Sequence, residues 1–235
     1  MILNFKINLK QILCYLCIFT LLFGSNAYIS YSNKAISTST PLPRFTVVLD
    51  PGHGGIDSGC VGSLGIYERD INLCIAQKLG DFLKTLGIKV VLTRTNQDGL
   101  YGTFASGHKK RDMKAREEII KKANPNLVVS IHLNSYSSPS PHGAQVFYKL
   151  NNDISRELGQ ALQDMFVEQV EGSRKNSMPG DFYILNCTKS AGILVECGFL
   201  SNPEEEAKLV TPEYQEKIAY TIMCGVVEYF GLAES

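Results

Sequence analysis

The chain has 235 residues, a length that suits one α/β domain with its own core and is too short for two large domains. Hydrophobic residues make up 44% of the sequence and charged residues 20%, values that do not indicate a disordered chain. Because 23 basic side chains balance 23 acidic ones, no polyanion-binding surface is indicated, and nucleic acid is not expected as a partner.

The first 27 residues are typical of an export segment. Lys6 and Lys10 precede an apolar run at 12–23, and small residues follow it where a signal peptidase would cut. The run is shorter than the roughly 20 apolar residues that span a bilayer comfortably. We therefore expect a signal peptide, with a membrane anchor or tether through the same run as the alternative. Residues 28–44 are rich in serine, threonine and proline, which predicts a flexible linker.

From Phe45 onward, strand patterns alternate with helix patterns, which predicts one folded domain over 45–232. Short apolar, β-branched runs predict strands at 45–50, 88–94, 127–132, 144–148, 182–185 and 192–196. Helical spacing and capping residues predict helices at 69–86, 110–124, 153–170, from Pro203, and from Pro212 to about 230. This order predicts an α/β fold with an open, mainly parallel sheet of about six strands and helices on both faces.

The cysteines beyond the export segment do not form a recognisable framework. They are Cys60, Cys74, Cys187, Cys197 and Cys224. Their number is odd and their spacing irregular, with no C-x-x-C pair, so neither a disulfide scaffold nor a zinc ribbon is indicated. We expect small buried side chains and at least one free thiol.

Four side chains that bind metals or move protons lie next to the ends of predicted elements. His53 lies in the glycine-rich turn after the first strand, His132 ends the third strand, and Glu196 ends the last one. Glu68 lies just before the first helix. Because the carboxyl ends of parallel strands share one edge of a sheet, we expect these four residues to meet there.

Two histidines and one carboxylate suit a catalytic zinc ion that keeps its fourth position for water. We therefore predict that His53, Glu68 and His132 bind one zinc ion per chain. A second carboxylate is needed to accept the proton of that water and to pass it to the leaving nitrogen. We assign this role of general acid and base to Glu196.

Each of these residues also has a simpler structural explanation. The segment around His53 is rich in glycine and proline, as a tight turn would be, and a lone histidine at a strand end is often a core residue. Glu68 would suit the start of a helix. Glu196 is harder to explain because it lies in an apolar run, where a buried carboxylate needs a partner. His108 and His142 lie in polar or proline-flanked loops and are predicted to be surface residues.

The combination of segments resembles the zinc-dependent N-acetylmuramoyl-L-alanine amidases of the family called amidase 3. The segments that carry the resemblance follow the order of that family: DPGHGGIDSG (50–59), YERDINL (67–73), LTRT (92–95), SIHLNS (130–135) and ILVECGFLSN (193–202). The resemblance covers about residues 45–232 and therefore the whole predicted domain.

This resemblance implies hydrolysis of the amide bond between the lactyl group of N-acetylmuramic acid and L-alanine in peptidoglycan. The metal ligands of the family correspond to His53, Glu68 and His132, and its catalytic glutamate corresponds to Glu196. Two other classes of protein remain open. One is a zinc peptidase that cuts within the stem peptide, and the other is a catalytically silent protein that binds peptidoglycan.

The layout, with one export segment and one domain, is similar to the CwlD-type amidases of spore-forming bacteria. That similarity implies processing of spore cortex for the formation of muramic-δ-lactam, which germination enzymes recognise. It also implies dependence on another exported protein, a role that a lipoprotein has in some clostridial relatives. The expected location is outside the cytoplasmic membrane, in the space of the cell wall or spore cortex.

Overall fold

The computed structural model describes residues 45–103 and 105–232. The predicted signal peptide, the linker and the membrane tether all lie outside these described residues. Within them, none of the helices is long and apolar enough to cross a membrane.

One sheet of six strands forms the centre of the described domain. The strands are β1 (Thr46–Pro51), β2 (Lys89–Leu92), β3 (Leu127–Asn134), β4 (Gln145–Lys149), β5 (Met178–Gly180) and β6 (Ala191–Phe199). Their order across the sheet is β2-β1-β3-β6-β4-β5. The first four of these run parallel, whereas β4 is antiparallel to β6 and parallel to β5. The predicted open, mainly parallel sheet is therefore confirmed.

Helices cover both faces of this sheet, as the sequence predicts. They are α1 (Glu68–Thr85), α2 (His108–Ala123), α3 (Asp153–Gln169), α4 (Tyr183–Asn186), α5 (Pro203–Leu209) and α6 (Pro212–Phe230). The apolar sides of α1, α3 and α6 share one core cluster with the sheet, and those of α2 and α4 share a second.

The two C-terminal helices begin where their capping residues predict. The side chain of Asn202 accepts hydrogen bonds from the N–H groups of Glu204 and Glu205, and that of Thr211 accepts one from Tyr214. A proline follows each cap, where its missing N–H costs nothing. Local sequence alone therefore fixes the start of α5 and α6.

The central strand β1 fixes the position of the turn that carries His53. All six of its residues are buried, as expected of a parallel strand with helices on both faces. Val47 and Leu49 pack into one core cluster, and Val48 packs into the other, which contains Ile120 of α2. Because alternate side chains are anchored on opposite faces, the carboxyl end of β1 has little freedom to move.

The prediction of a strand at 182–185 is wrong, because residues 183–185 lie in the one-turn helix α4 and Phe182 is its N-cap. Ile184 and Leu185 are neighbours in sequence and are both buried in the same core cluster, which a helical turn allows and an alternating strand does not. The edge strand is instead β5, which the sequence analysis did not predict. Pro179 in β5 suits an edge strand, because proline offers no N–H to a further strand.

The five cysteines of the described ranges are free thiols. Their burial differs from what was expected. Cys197 is buried, Cys74 is exposed, and the other three are partly buried. Most of these thiols are therefore not core residues.

Candidate metal centre

The turn after β1 brings its backbone very close to the ring of His132. A Cβ atom on Gly52 would lie only 2.1 Å from Cε1 of His132, so no other residue fits there without displacing that ring. The next residue, His53, has a φ of 63°, a left-handed conformation that side chains adopt at a cost of about 1–3 kcal/mol. The turn therefore needs support from outside itself.

Two buried arginines supply this support. Arg116 donates hydrogen bonds to the carbonyl oxygen of Pro51 at 2.7 Å and to that of His53. Arg94 donates to the carbonyl oxygens of Pro51 at 3.0 Å and of Gly52 at 2.9 Å. Together they bind each carbonyl oxygen from Pro51 to His53. We call Arg94 and Arg116 the arginine pair.

Asp50 provides the counter-charge for Arg116 inside the protein. Its Oδ1 accepts hydrogen bonds from Nη1 of Arg116 at 2.7 Å and from Oγ1 of Thr93 at 2.6 Å, and its Oδ2 accepts one from Ser130 at 2.9 Å. Burial alone would raise the pKa of Asp50, but the charge of Arg116 and these hydrogen bonds hold it below its ordinary value. Asp112 forms a second ion pair with Arg116, at 2.6 Å.

The three predicted metal ligands meet at the carboxyl edge of the sheet. Oε1 of Glu68 lies 3.1 Å from Nε2 of His53 and 3.0 Å from Nδ1 of His132. One ligand atom from each residue lies within 4.8 Å of the other two. The rings of the two histidines are nearly perpendicular, with centroids 5.0 Å apart. This group could hold a metal ion.

Glu68 is the residue around which this group is organised. Its Oε1 also accepts hydrogen bonds from the N–H of Leu133 at 3.1 Å and from Asn72 at 3.2 Å, and its Oε2 accepts one from the N–H of Cys60 at 2.9 Å. Burial would raise the pKa of Glu68, but the hydrogen bonds with His132 and His53 hold it far below its ordinary value. The carboxylate is therefore ionised, as a metal ligand must be.

Asp57 orients His53 from the opposite side of the ring. Nδ1 of His53 donates a hydrogen bond to Oδ1 of Asp57 at 2.9 Å, which leaves Nε2 to face Glu68. Burial would lower the pKa of His53, but the hydrogen bonds to Asp57 and Glu68 raise it to about 9. The sequence analysis did not select Asp57, although an acid four residues after His53 within the same motif could have indicated it.

Glu196 lies beside the group of ligands but is not one of its members. It pairs in register with His132 across β3 and β6, so the two side chains lie on the same face of the sheet. Within the described residues, its buried Oε2 has no hydrogen-bond partner. Burial raises the pKa of Glu196 to about 7. A carboxyl group with that pKa can both accept and donate a proton near neutral pH.

A cavity of about 200 Å³ opens onto these residues. His53, His132 and Glu196 line it, together with residues that the sequence analysis did not connect with the site, among them Tyr101, His108, Lys109, Met113 and Tyr183. His108, predicted as a surface residue, is half-buried in the wall of this cavity, whereas His142 is exposed as predicted.

Comparisons with known sequences find N-acetylmuramoyl-L-alanine amidases. A sequence profile described as N-acetylmuramoyl-L-alanine amidase matches residues 47–228. The germination-specific N-acetylmuramoyl-L-alanine amidase of Bacillus subtilis (strain 168) is 35% identical over 196 residues, which are 82% of this chain and 82% of that protein.

Solved structures show the same fold. The CwlD amidase from Clostridioides difficile, determined in complex with the GerS lipoprotein, superposes with a TM-score of 0.76 at 36% identity, over 80% of this chain and 98% of that one. The N-acetylmuramoyl-L-alanine amidase from Clostridium difficile 630 gives a TM-score of 0.72 at 32% identity, over 83% of this chain and all of that one.

The role of the arginine pair can be tested by replacing Arg116 with methionine. We expect Arg116→Met to lower the free energy of unfolding by about 3–5 kcal/mol, because it leaves Asp50 as an uncompensated buried charge. Lys122→Met is the matched control, because Lys122 is exposed on the same helix, and it should change the free energy by less than about 0.5 kcal/mol. Urea unfolding of both variants measures the difference. Equal stability of the two variants would contradict the counter-charge role of Asp50.

Proposed function

This chain belongs to the N-acetylmuramoyl-L-alanine amidase family, and we propose that it uses one zinc ion, held by His53, Glu68 and His132, to hydrolyse the bond between N-acetylmuramic acid and L-alanine in peptidoglycan. The observation that supports this most directly is the meeting of three ligand atoms from distant segments beside Glu196, whose buried Oε2 has no hydrogen-bond partner in the described part of the chain.

The donor set fits zinc. Ligand nitrogen and oxygen atoms at about 2.0–2.2 Å from a tetrahedral zinc ion lie roughly 3.4 Å from one another. The distances from Oε1 of Glu68 to the two imidazole nitrogens, 3.1 and 3.0 Å, are close to that value. When bound, zinc supplies Lewis-acid chemistry that polarises an amide carbonyl and makes water more acidic.

The side chains of the protein divide the remaining work. Glu68 and the two histidines would hold the ion, and Asp57 keeps Nε2 of His53 directed at Glu68. We assign to Oε2 of Glu196 the acceptance of a proton from the attacking water and its delivery to the nitrogen of L-alanine. The raised pKa of this carboxyl group suits both halves of that transfer.

A peptidase that cuts within the stem peptide is the alternative enzyme. Such an enzyme grips a free amino or carboxyl terminus, often with a second metal. Among the described residues, no second group of three or more His, Cys, Asp and Glu side chains is arranged to hold a metal ion. The amidase reaction is therefore favoured. A catalytically silent protein that binds peptidoglycan would leave unexplained why the buried Oε2 of Glu196 has no hydrogen-bond partner among the described residues.

We also propose that the substrate is the peptidoglycan of the spore cortex and that cleavage prepares it for the formation of muramic-δ-lactam and for germination. The support is similarity: one relative is a germination-specific amidase of Bacillus subtilis, and one solved structure is the CwlD amidase of Clostridioides difficile.

Export and a partner protein complete the proposal. Residues 1–27 would direct the chain across the membrane, residues 28–44 would link them to the catalytic domain at 45–232, and an exported lipoprotein would assist the enzyme. The CwlD structure contains such a lipoprotein, GerS.

Expression of the tagged full chain with this class of lipoprotein in a spore-forming host tests export and the partner together. We expect an exported chain that lacks residues 1–27 and co-purifies with the lipoprotein, and retention in the cytoplasm would contradict export.

Metal binding is tested by replacing each histidine separately. We expect His53→Ala and His132→Ala to lower the zinc content well below one ion per chain, because each change removes one of three protein ligands. His142→Ala is the control, since His142 is exposed in a loop and should leave the zinc content unchanged. Elemental analysis after dialysis gives the result. Full zinc occupancy in either ligand variant would rule out the proposed site.

The proton-transfer role is tested by Glu196→Gln, which keeps the shape of the side chain but removes its basicity. We expect this variant to retain zinc and to lose a factor of about 10²–10⁴ in kcat. Glu118→Gln, on the exposed surface of α2, is the control. Mass spectrometry of digested peptidoglycan identifies the products. An intact stem peptide released from muramic acid supports the amidase, whereas shortened peptides would support the peptidase.

A further inference from the structure

We infer that Lys109 makes the enzyme selective for a free carboxylate on the second residue of the stem peptide. This inference rests on the proposed amidase function and names a further residue that would contact its substrate. It comes from the distribution of charge around the cavity, which the catalytic assignment does not use.

Two of the cavity-lining residues, Lys109 and Arg116, have basic side chains, and they differ in what they can bind. The guanidinium of Arg116 is only 2% exposed and is committed to Asp50, Asp112 and backbone carbonyl oxygens. The side chain of Lys109 is 75% exposed. Its ammonium group can therefore approach a bound substrate, whereas the guanidinium cannot.

The ammonium group of Lys109 lies near Asp57, which connects it to the metal ligands. Nζ of Lys109 lies 4.0 Å from Oδ2 of Asp57, and Oδ1 of Asp57 lies 2.9 Å from Nδ1 of His53. One carboxylate and one imidazole ring thus separate the ammonium from Nε2 of His53, the atom that faces Glu68. The positive charge of Lys109 therefore lies in the cavity wall, to one side of the metal ligands.

The distance between Lys109 and the metal ligands is comparable to the length of the first two residues of the stem peptide. With the scissile amide at the metal ligands, L-alanine comes first and a glutamyl residue second, and the carboxyl group of that second residue is either free or amidated. Two extended residues span about 7 Å. This is comparable to the path from Nε2 of His53 through its ring to Asp57, and Nζ of Lys109 lies 4.0 Å beyond Oδ2 of Asp57, within reach of a carboxylate carried by the second residue. The carboxylate of the second residue is the first negative charge of the stem that can reach Lys109.

The rest of the cavity wall also favours a substrate orientation in which the carboxylate of the second residue lies near Lys109. Met113, Ile184 and Leu194 contribute apolar surface, which would not stabilise a carboxylate. The first turn of α2, which carries Lys109, contains no acidic residue.

Two acids of the cavity wall lie near Lys109. The Oδ1 of Asp57 is committed to His53 and to the N–H of Gly59, whereas its Oδ2 lies 4.0 Å from Lys109 and would share the ammonium group with a substrate carboxylate. Asp112, which also lines the cavity, is committed to Arg116 and to the N–H of Leu100. An anionic group is therefore best accommodated at the Lys109 side.

The test compares two synthetic substrates that differ in one group. Both are muramoyl peptides cleaved by the zinc-loaded full chain, one with a free carboxylate on the second residue and one with the amide. We expect the kcat/KM of the unaltered protein to favour the carboxylate by about two- to fivefold, the range for an exposed ion pair, and less at high salt. Lys109→Met should bring this ratio to about one through KM, and Lys109→Arg should restore it. Lys110→Met, at the exposed neighbouring position, should keep the original ratio.

The opposing outcomes separate this inference from the proposed function. A ratio near one in the unaltered protein, or a ratio that persists in Lys109→Met, overturns the role of Lys109 and leaves the amidase intact. Equal losses on both substrates, with a fall in zinc content, would show that Lys109 acts structurally through Asp57 and also overturn it. If the zinc-loaded protein cleaves neither muramoyl amide, the proposed function fails and the inference fails with it.

Discussion

The turn after β1 keeps His53 at a positive φ because the arginine pair donates hydrogen bonds to its carbonyl oxygens. Burying two guanidinium groups is costly, and the ion pairs of Arg116 with Asp50 and Asp112 offset part of that cost. The same interactions fix the backbone next to the ring of His132, where a glycine is sterically required. One network of charges thus determines where both histidines can lie.

Two carboxyl groups of the same site are held in opposite states. Glu68 accepts hydrogen bonds from several donors, and its pKa lies far below the ordinary value. Glu196, on β6, has a buried oxygen with no hydrogen-bond partner among the residues that the structure describes, and burial raises its pKa to about 7. Environments that push two carboxyl pKa values apart are the usual means of separating a permanently charged group from a proton carrier. His132 connects the two, because it lies 3.0 Å from Oε1 of Glu68 and pairs in register with Glu196 across β3 and β6.

Much of the fold could be predicted because its signals are local. Buried strands such as β1 and β3 are continuous apolar runs, and α5 and α6 are defined by a capping side chain followed by proline. The error at 182–185 has an equally local cause, since a four-residue apolar run fits a strand and a helical turn alike. Only the packing of Ile184 and Leu185 into one cluster decides between them. β5, with three residues, is too short to leave a pattern in the sequence.

The sequence by itself determined which residue types stand at the ends of the strands and at the start of the first helix. It therefore identified His53, Glu68, His132 and Glu196 as candidates. It determined this because the ends of parallel strands must share an edge, whatever the details of packing. Only the tertiary structure decided how those side chains are held and charged. The hydrogen bonds, burial and counter-charges that do so, such as the pairing of Arg116 with an aspartate 66 positions away, depend on contacts between distant segments that no local pattern encodes.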